Sequence, residues 1–95
     1  MKLFISGYGK MGKMIETIIQ SRGLEYAGWS ESVTATDPGL AKECVCIDFT
    51  TPDAFKANYR FLAENFKAVV VGTTGWADIR DEVVAYFEKC GTPMI

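Results

Sequence analysis

The stretch KLFISGYGKMG, Lys2 to Gly12, decides the fold because a glycine-rich turn directly follows a short apolar run. Leu3–Ile5 predicts a strand, and the G-x-G-x-x-G of Gly7–Gly12 stands where this strand would pass into a helix. In such a motif the first glycine permits a tight turn, the second lets backbone approach a pyrophosphate, and the third lets helix pack on strand. The stretch therefore predicts a dinucleotide at the start of a helix.

The composition indicates that residues 1–95 form one small soluble domain. The chain is 48% hydrophobic with a formal net charge of −2, and its 10 basic residues are scattered among 12 acidic ones. It lacks the clustered basic face of a nucleic-acid binder, and no apolar run reaches the roughly 20 residues that span a bilayer. The amino end has no signal-peptide layout, so the expected location is the cytoplasm.

The three cysteines, Cys44, Cys46 and Cys90, are interpreted as reduced, mostly buried apolar residues. A C-x-C pair in a chain without histidine offers too few ligands for a metal, so no metal site is predicted.

Helix and strand patterns alternate through the first half of the chain. An apolar stripe at helical spacing follows the turn: Met11, Met14, Ile15, Ile18 and Ile19. Gly23 would end this helix, and residues 24–30 would form a second strand in which Gly28 marks a bulge or a close backbone approach. Glu31 then stands near the offset of about 20 residues at which an acid meets ribose hydroxyls in this motif.

The second half repeats the alternation. Asp37–Gly39 predicts a turn or a very short helix, and residues 45–49 and 68–71 predict the third and fourth strands. Thr50–Asp53 predicts a helix start, and Asp78 is a possible cap for the last helix. The two helices carry the stripes Phe55, Tyr59, Leu62, Phe66 and Ile79, Val83, Tyr86, Phe87, Cys90. Gly91 would close the last helix, and residues 92–95 begin a predicted fifth strand.

This order predicts an α/β fold: a Rossmann-like, doubly wound parallel sheet of about five strands in the order 2-1-3-4-5, with helices on both faces. Because ligands of such sheets bind outside the carboxyl ends of the strands, the glycine turn, Glu31, Phe49–Thr51 and Gly72–Thr74 should meet at one rim. The predicted cofactor contacts are Gly7, Tyr8, Gly9, Lys10, Met11, Gly12, Glu31, Phe49, Thr50, Gly72, Thr73 and Thr74. No catalytic residue is predicted.

Roles at the rim follow from the motif. Glu31 would accept from the adenosine ribose, the backbone of Gly9–Gly12 would hold the pyrophosphate, and Thr50 with Gly72–Thr74 would meet the nicotinamide half. Lys10 and Lys13 could add charge near phosphate, although solvated lysines are the favoured interpretation.

Other rim residues have simpler explanations. For Thr50 and Thr51, helix capping and cofactor contact weigh equally. Trp29 and Trp76 are interpreted as packing or rim residues close enough to report on a bound cofactor. Asp48 should point opposite to its strand neighbours and bond loop backbone.

Three segments together resemble the dihydrodipicolinate reductase family: Gly7–Gly12, then Ile47–Pro52 with the sequence IDFTTP, then Val71–Trp76 with the sequence VGTTGW. The resemblance implies NAD(P)H-dependent reduction of a cyclic imine or enamine in lysine and diaminopimelate synthesis. It also implies a mild preference for NADH, because Ser32 stands where members that use NADPH well carry a basic residue. The family's substrate domain lies beyond the strand at Pro93, so residues 1–95 are expected to be a truncated cofactor domain without turnover alone.

One alternative from another class remains open. The unfinished strand at Met94–Ile95 also suits a non-catalytic α/β module that self-associates through an exposed sheet edge. Hydrolytic and phosphoryl-transfer enzymes are not supported, because the chain has no histidine, no G-x-S-x-G and no G-K-[ST] after the glycines.

Overall fold

Four strands and four α-helices alternate along the chain in a computed structural model that describes residues 1–95. The strands are β1 (Lys2–Ser6), β2 (Glu25–Ser30), β3 (Cys44–Asp48) and β4 (Ala68–Val71). The helices are α1 (Lys10–Ser21), α2 (Pro38–Ala41), α3 (Pro52–Asn65) and α4 (Arg80–Cys90), with 3₁₀ turns at Val33–Ala35 and Ala77–Ile79. None of these helices has the length and apolar character needed to cross a membrane.

The strands form one parallel sheet in the order β2-β1-β3-β4, which confirms the predicted fold and the order of its first four strands. Between β1 and β2 the register shifts, since Leu3 pairs with Tyr26 and Phe4 with Gly28. The shift is a bulge at the place where Gly28 predicted one, and Gly28 takes a positive φ of 122°.

The prediction of a fifth strand is wrong, because the sheet has four strands. The chain end lies beside β4 through one isolated parallel bridge, between Val69 and Met94. The Val69 amide donates to the Pro93 carbonyl oxygen over 2.9 Å, and the Ile95 amide donates to the Val69 carbonyl oxygen over 2.9 Å. The Val71 amide also donates to the Ile95 carbonyl oxygen over 2.9 Å, but Pro93 has no N–H of its own and only the Val69–Met94 pair forms a bridge, so the sheet has four strands.

Helices cover both faces of the sheet. Phe4, Cys46 and Val69 are aligned across β1, β3 and β4, and they share one buried cluster with side chains from α3 and α4. Ile5 points the opposite way, towards α1, where a Cβ on Gly12 would lie 3.5 Å from its Cγ2 atom. The sheet is therefore doubly wound, and its larger core lies on the α3–α4 side.

The apolar stripe predicted for α1 is buried only in part. Ile19 is buried and Ile15 is half-buried, whereas Met11, Met14 and Ile18 are exposed at 45%, 49% and 45%. The buried positions of α1 are Gly12 and Ile19, seven residues apart, which is the line of closest approach to β1 and β2. Met11, Met14 and Ile18 lie away from that line and are therefore exposed to solvent.

Helix ends follow the predicted capping in most places. Thr51 caps α3 by accepting the Ala54 amide over 3.2 Å, and Gly91 ends α4 with a φ of 70°. Asp37 likewise caps the short α2 by accepting the Leu40 amide over 3.1 Å. Asp78 is not the cap of α4: it lies in the preceding 3₁₀ turn, and its Oδ2 accepts from Lys56 Nζ over 2.9 Å. The 3₁₀ turn delays the α-helix until Arg80, two residues past Asp78.

The predicted burial is confirmed for the apolar stripe of α3 and for two of the three cysteines. Phe55, Tyr59, Leu62 and Phe66 are buried as their spacing predicts. Cys44 and Cys46 are free and buried on β3, but Cys90 is free and exposed because it occupies the last residue of α4, where the helix leaves the core.

Candidate functional site

The glycine turn between β1 and α1 uses its three glycines in different ways. Gly7 has a φ of 96°, and a Cβ there would lie 2.2 Å from the Phe49 carbonyl oxygen. A Cβ on Gly12 would lie 2.4 Å from the Gly7 carbonyl oxygen, whereas a Cβ on Gly9 would meet nothing within 4 Å. The first and third glycines thus serve the turn and the packing, and the second leaves its backbone open, as pyrophosphate binding requires.

No side chain of α1 or its N-cap supplies a negative charge or a capping acceptor at the start of the helix. Gly9 is its N-cap and supplies no side-chain acceptor, and the first turn contains no acidic residue. The positive end of the helix dipole and the first backbone N–H groups therefore lack a side-chain partner beside the open glycine. This arrangement suits a phosphate group.

A groove of about 400 Å³ lies at the carboxyl ends of the strands. It is lined by residues that come from the ends of β1, β2 and β3 and from the first turn of α3: Gly7, Tyr8, Gly9, Glu31, Phe49, Thr50, Thr51 and Ala54. Six of the twelve predicted contacts meet here. Ala54 was not predicted, and its only sequence indication is its place one turn after the helix start at Thr51.

Tyr8, between the first two glycines, is held from two directions. Its ring stacks on Trp29 with centroids 3.8 Å apart and planes 8° apart. Its hydroxyl donates to Glu16 Oε1 over 2.6 Å, while the Tyr26 hydroxyl donates to Glu16 Oε2 over 2.7 Å. These two hydrogen bonds lower the pKa of Glu16, and the bond to Glu16 raises the pKa of Tyr8. The spacing of a carboxylate along a helix does not reveal tyrosine partners in the glycine turn and on β2, so sequence patterns do not identify Glu16.

The other predicted contacts do not line this groove. Lys10 and Met11 are exposed at the start of α1, and Gly12 is buried against Gly7. Gly72 lies against the Phe49 ring. A second, smaller pocket of about 240 Å³ is lined by the segment after β4: Thr73, Thr74, Gly75, Trp76, Ala77 and Arg80.

Hydrogen bonds join the two pockets at their base. The Thr50 amide donates to Thr73 Oγ1 over 2.7 Å, and Thr73 Oγ1 donates to Asp48 Oδ2 over 2.7 Å. Asp48 thus bonds loop hydroxyls, not loop backbone as the sequence suggested. Burial raises the pKa of Asp48, and the neighbouring hydroxyls of Thr73, Ser6 and Thr50 oppose that rise.

Comparison with known proteins agrees with this geometry. Residues 29–95 match the family described as dihydrodipicolinate reductase, N-terminus. The glycine turn precedes the residues of that match.

Longer matches include two proteins named 4-hydroxy-tetrahydrodipicolinate reductase. The one from Mycolicibacterium gilvum is 37% identical over 86 residues, which cover 84% of this chain and 35% of the relative. The one from Cutibacterium acnes is 34% identical over 85 residues, which cover 84% of this chain and 34% of the relative.

A shorter match, to the protein of the same name from Corynebacterium urealyticum, is 46% identical over 44 residues and covers 46% of this chain and 18% of the relative. The chain therefore spans about a third or less of the length of these relatives. With a family match across most of its residues, a Rossmann-like sheet and the glycine turn in place, the chain belongs to the dihydrodipicolinate reductase family, within the N-terminal part of that family.

Proposed function

We propose that residues 1–95 bind NADH or NADPH in the groove at the carboxyl ends of β1, β2 and β3. One observation carries the proposal: Gly9 is open to the groove, while Gly7 and Gly12 are closed by packing. A turn that served only to connect strand and helix would need the first and third glycines but not an open second one.

The adenosine and pyrophosphate would lie nearest the glycine turn. Glu31 lines the groove at the end of β2, so its carboxylate accepts from the ribose hydroxyls, and the backbone of Gly9–Gly12 binds the pyrophosphate. Tyr8 borders this half of the groove. Lys10 and Met11, exposed beside the helix start, contribute at its edge.

The nicotinamide half would lie towards β3 and β4. Phe49 and Thr50 line the groove there, and Gly72–Thr74 follow β4 at the same rim. When bound, the nicotinamide supplies a hydride for reduction. The residues of this chain bind and orient the cofactor, and none is assigned to catalysis.

The named activity of the relatives supports a finer proposal. We infer that these residues provide the cofactor half of a 4-hydroxy-tetrahydrodipicolinate reductase in cytoplasmic lysine and diaminopimelate synthesis. Tested alone, they should show no turnover. Tyr8 and Glu31 are the ionisable side chains of the groove. The Tyr8 hydroxyl is engaged by Glu16 and the Glu31 carboxylate is assigned to the ribose, so neither is left to protonate a substrate.

Titration calorimetry with NADH and NADPH tests the proposal. We expect one dinucleotide per chain and a mild preference for NADH, because Ser32 next to Glu31 offers no positive charge to a 2′-phosphate. Absence of heat with either dinucleotide would remove the proposed function, and much tighter binding of NADPH would remove only the preference.

A second proposal concerns assembly. Beyond β4 the sheet continues only as the isolated Met94 bridge, and Ile95 is 78% exposed beside it. Pro93 and Ile95 supply the backbone hydrogen bonds to β4, and the backbone groups of Met94 face away from β4. Another chain could pair with Met94, so residues 1–95 could self-associate there as a non-catalytic module. Sedimentation of a clean monomer at high concentration would exclude this alternative.

A further inference from the structure

Asp48 is the one carboxylate in the buried interior, with 0% of its surface exposed. It ends β3, in register with Ser6 of β1, and no salt bridge neutralises it. Its Oδ1 atom has no hydrogen-bond partner at all. Burying a carboxylate with an unpaired oxygen costs stability, so packing gives no reason for an acid at this position.

The hydrogen bonds of Asp48 Oδ2 have a fixed direction. The Thr50 amide donates to Thr73 Oγ1 over 2.7 Å, so the Thr73 oxygen is an acceptor there. The single hydroxyl proton of Thr73 is then given to Asp48 Oδ2 over 2.7 Å, and Thr50 Oγ1 donates to the same oxygen over 3.2 Å. One carboxylate oxygen thereby orients groups from both the β3–α3 turn and the segment after β4.

We propose that Asp48 is a positioning residue for the nicotinamide half of the cofactor site, acting through the Thr73 hydroxyl on the Thr50 backbone. This inference rests on the proposed cofactor binding. The ionised Asp48 carboxylate accepts the Thr73 hydroxyl proton and so fixes the rotamer of that hydroxyl. The Thr73 oxygen in turn accepts the Thr50 amide and fixes its position, and Thr50 lines the groove. The glycine turn packs against Phe49 and Thr50 but its amide is hydrogen-bonded to β2, since the Gly7 amide donates to the Ser30 carbonyl oxygen over 2.8 Å. The adenosine half should therefore not depend on Asp48.

The experiment compares NADH with ADP-ribose, which lacks the nicotinamide. The variants are Asp48→Asn, which keeps the shape of the side chain, Thr73→Val, and the double variant. In Asp48→Asn we expect NADH binding to weaken about tenfold, as for one lost charge-assisted hydrogen bond, with ADP-ribose binding changed less than about twofold. Thr73→Val should show the same selective loss. The double variant should be no weaker than Thr73→Val, because both substitutions break one relay.

Other outcomes overturn the inference in recognisable ways. Equal weakening of NADH and ADP-ribose would mean that Asp48 only maintains the fold, and unchanged NADH binding would mean that it positions nothing. Additive losses in the double variant would show that Asp48 does not act through Thr73. If the wild type binds neither ligand, the proposed function itself fails, and that result is distinct from a failure confined to the variants.

Discussion

The ring of Phe49 lies directly against Gly72: a Cβ built on that glycine would stand 2.2 Å from the ring atoms Cε1 and Cζ. The carbonyl oxygen of the same Phe49 lies 2.2 Å from where a Cβ on Gly7 would stand. Phe49 therefore fits between the ends of β1 and β4, and two glycines make room for it. The floor of the proposed cofactor groove depends on this packing.

Gly72→Ala should destabilise the protein by about 1–3 kcal/mol, the usual cost of forcing extra volume into a packed site. Chemical denaturation measures the effect. Gly9→Ala is the matched control, because a Cβ there meets nothing within 4 Å and the φ of −84° suits alanine. Its free energy of unfolding should stay within about 1 kcal/mol of the wild type. Equal stability of the two variants would contradict the packing described for Phe49.

Glu16→Gln should lower the pKa of both Tyr8 and Tyr26. Hydrogen bonds to the Glu16 carboxylate raise the pKa of each phenol, with burial the larger cause for Tyr26 and the hydrogen bond the larger for Tyr8. Phenolate absorbance during an alkaline titration measures the change. An unchanged titration curve would show that the carboxylate does not hold these hydroxyls.

The stability contributed by Asp48 should depend on pH with a definite sign. Burial raises its pKa in the folded state, so the folded protein binds this proton more tightly than the unfolded chain does. The contribution is fully present below the ordinary aspartate pKa and is lost as pH rises through the raised value. Asparagine does not titrate, so the free energy of unfolding of the wild type minus that of Asp48→Asn should fall across this window. Urea denaturation at a series of pH values would refute the account if this difference stayed constant or rose.

The two tryptophans should report on different halves of the cofactor. Trp29 stacks on Tyr8 at the groove, whereas Trp76 packs on Phe55 with ring centroids 4.7 Å apart and donates from Nε1 to the Thr73 carbonyl oxygen over 2.6 Å. ADP-ribose should change the fluorescence of Trp76→Phe, which retains Trp29, and leave that of Trp29→Phe nearly unchanged. A full response to ADP-ribose in Trp29→Phe would place the adenosine elsewhere.

The sequence predicts the fold well where local patterns are strong. The glycine turn, the capping Thr51 and the valines of β4 each specify one structure, and the elements appear in the predicted order. The errors occur where contacts between elements distant in sequence decide the pairing or burial of a residue. Met94 forms a bridge instead of a strand, and Met14 is exposed because α1 meets the sheet only along the line of Gly12 and Ile19.

The candidate site divides in the same way. Gly7, Gly9 and Glu31 were recognisable because the motif fixes their spacing, and all three line the groove. Glu16 and Asp48 act through partners on other elements, Tyr26 and Thr73, and no spacing along the chain reveals such pairs.

The central claim is that a dinucleotide lies against the open backbone of Gly9, and tryptophan fluorescence on adding NADH tests it most directly. The wild type should be quenched in a saturable way. Gly9→Val should keep its melting temperature and lose the quenching, because the valine side chain would fill the space left for the pyrophosphate. Equal quenching of the two folded proteins would contradict the account.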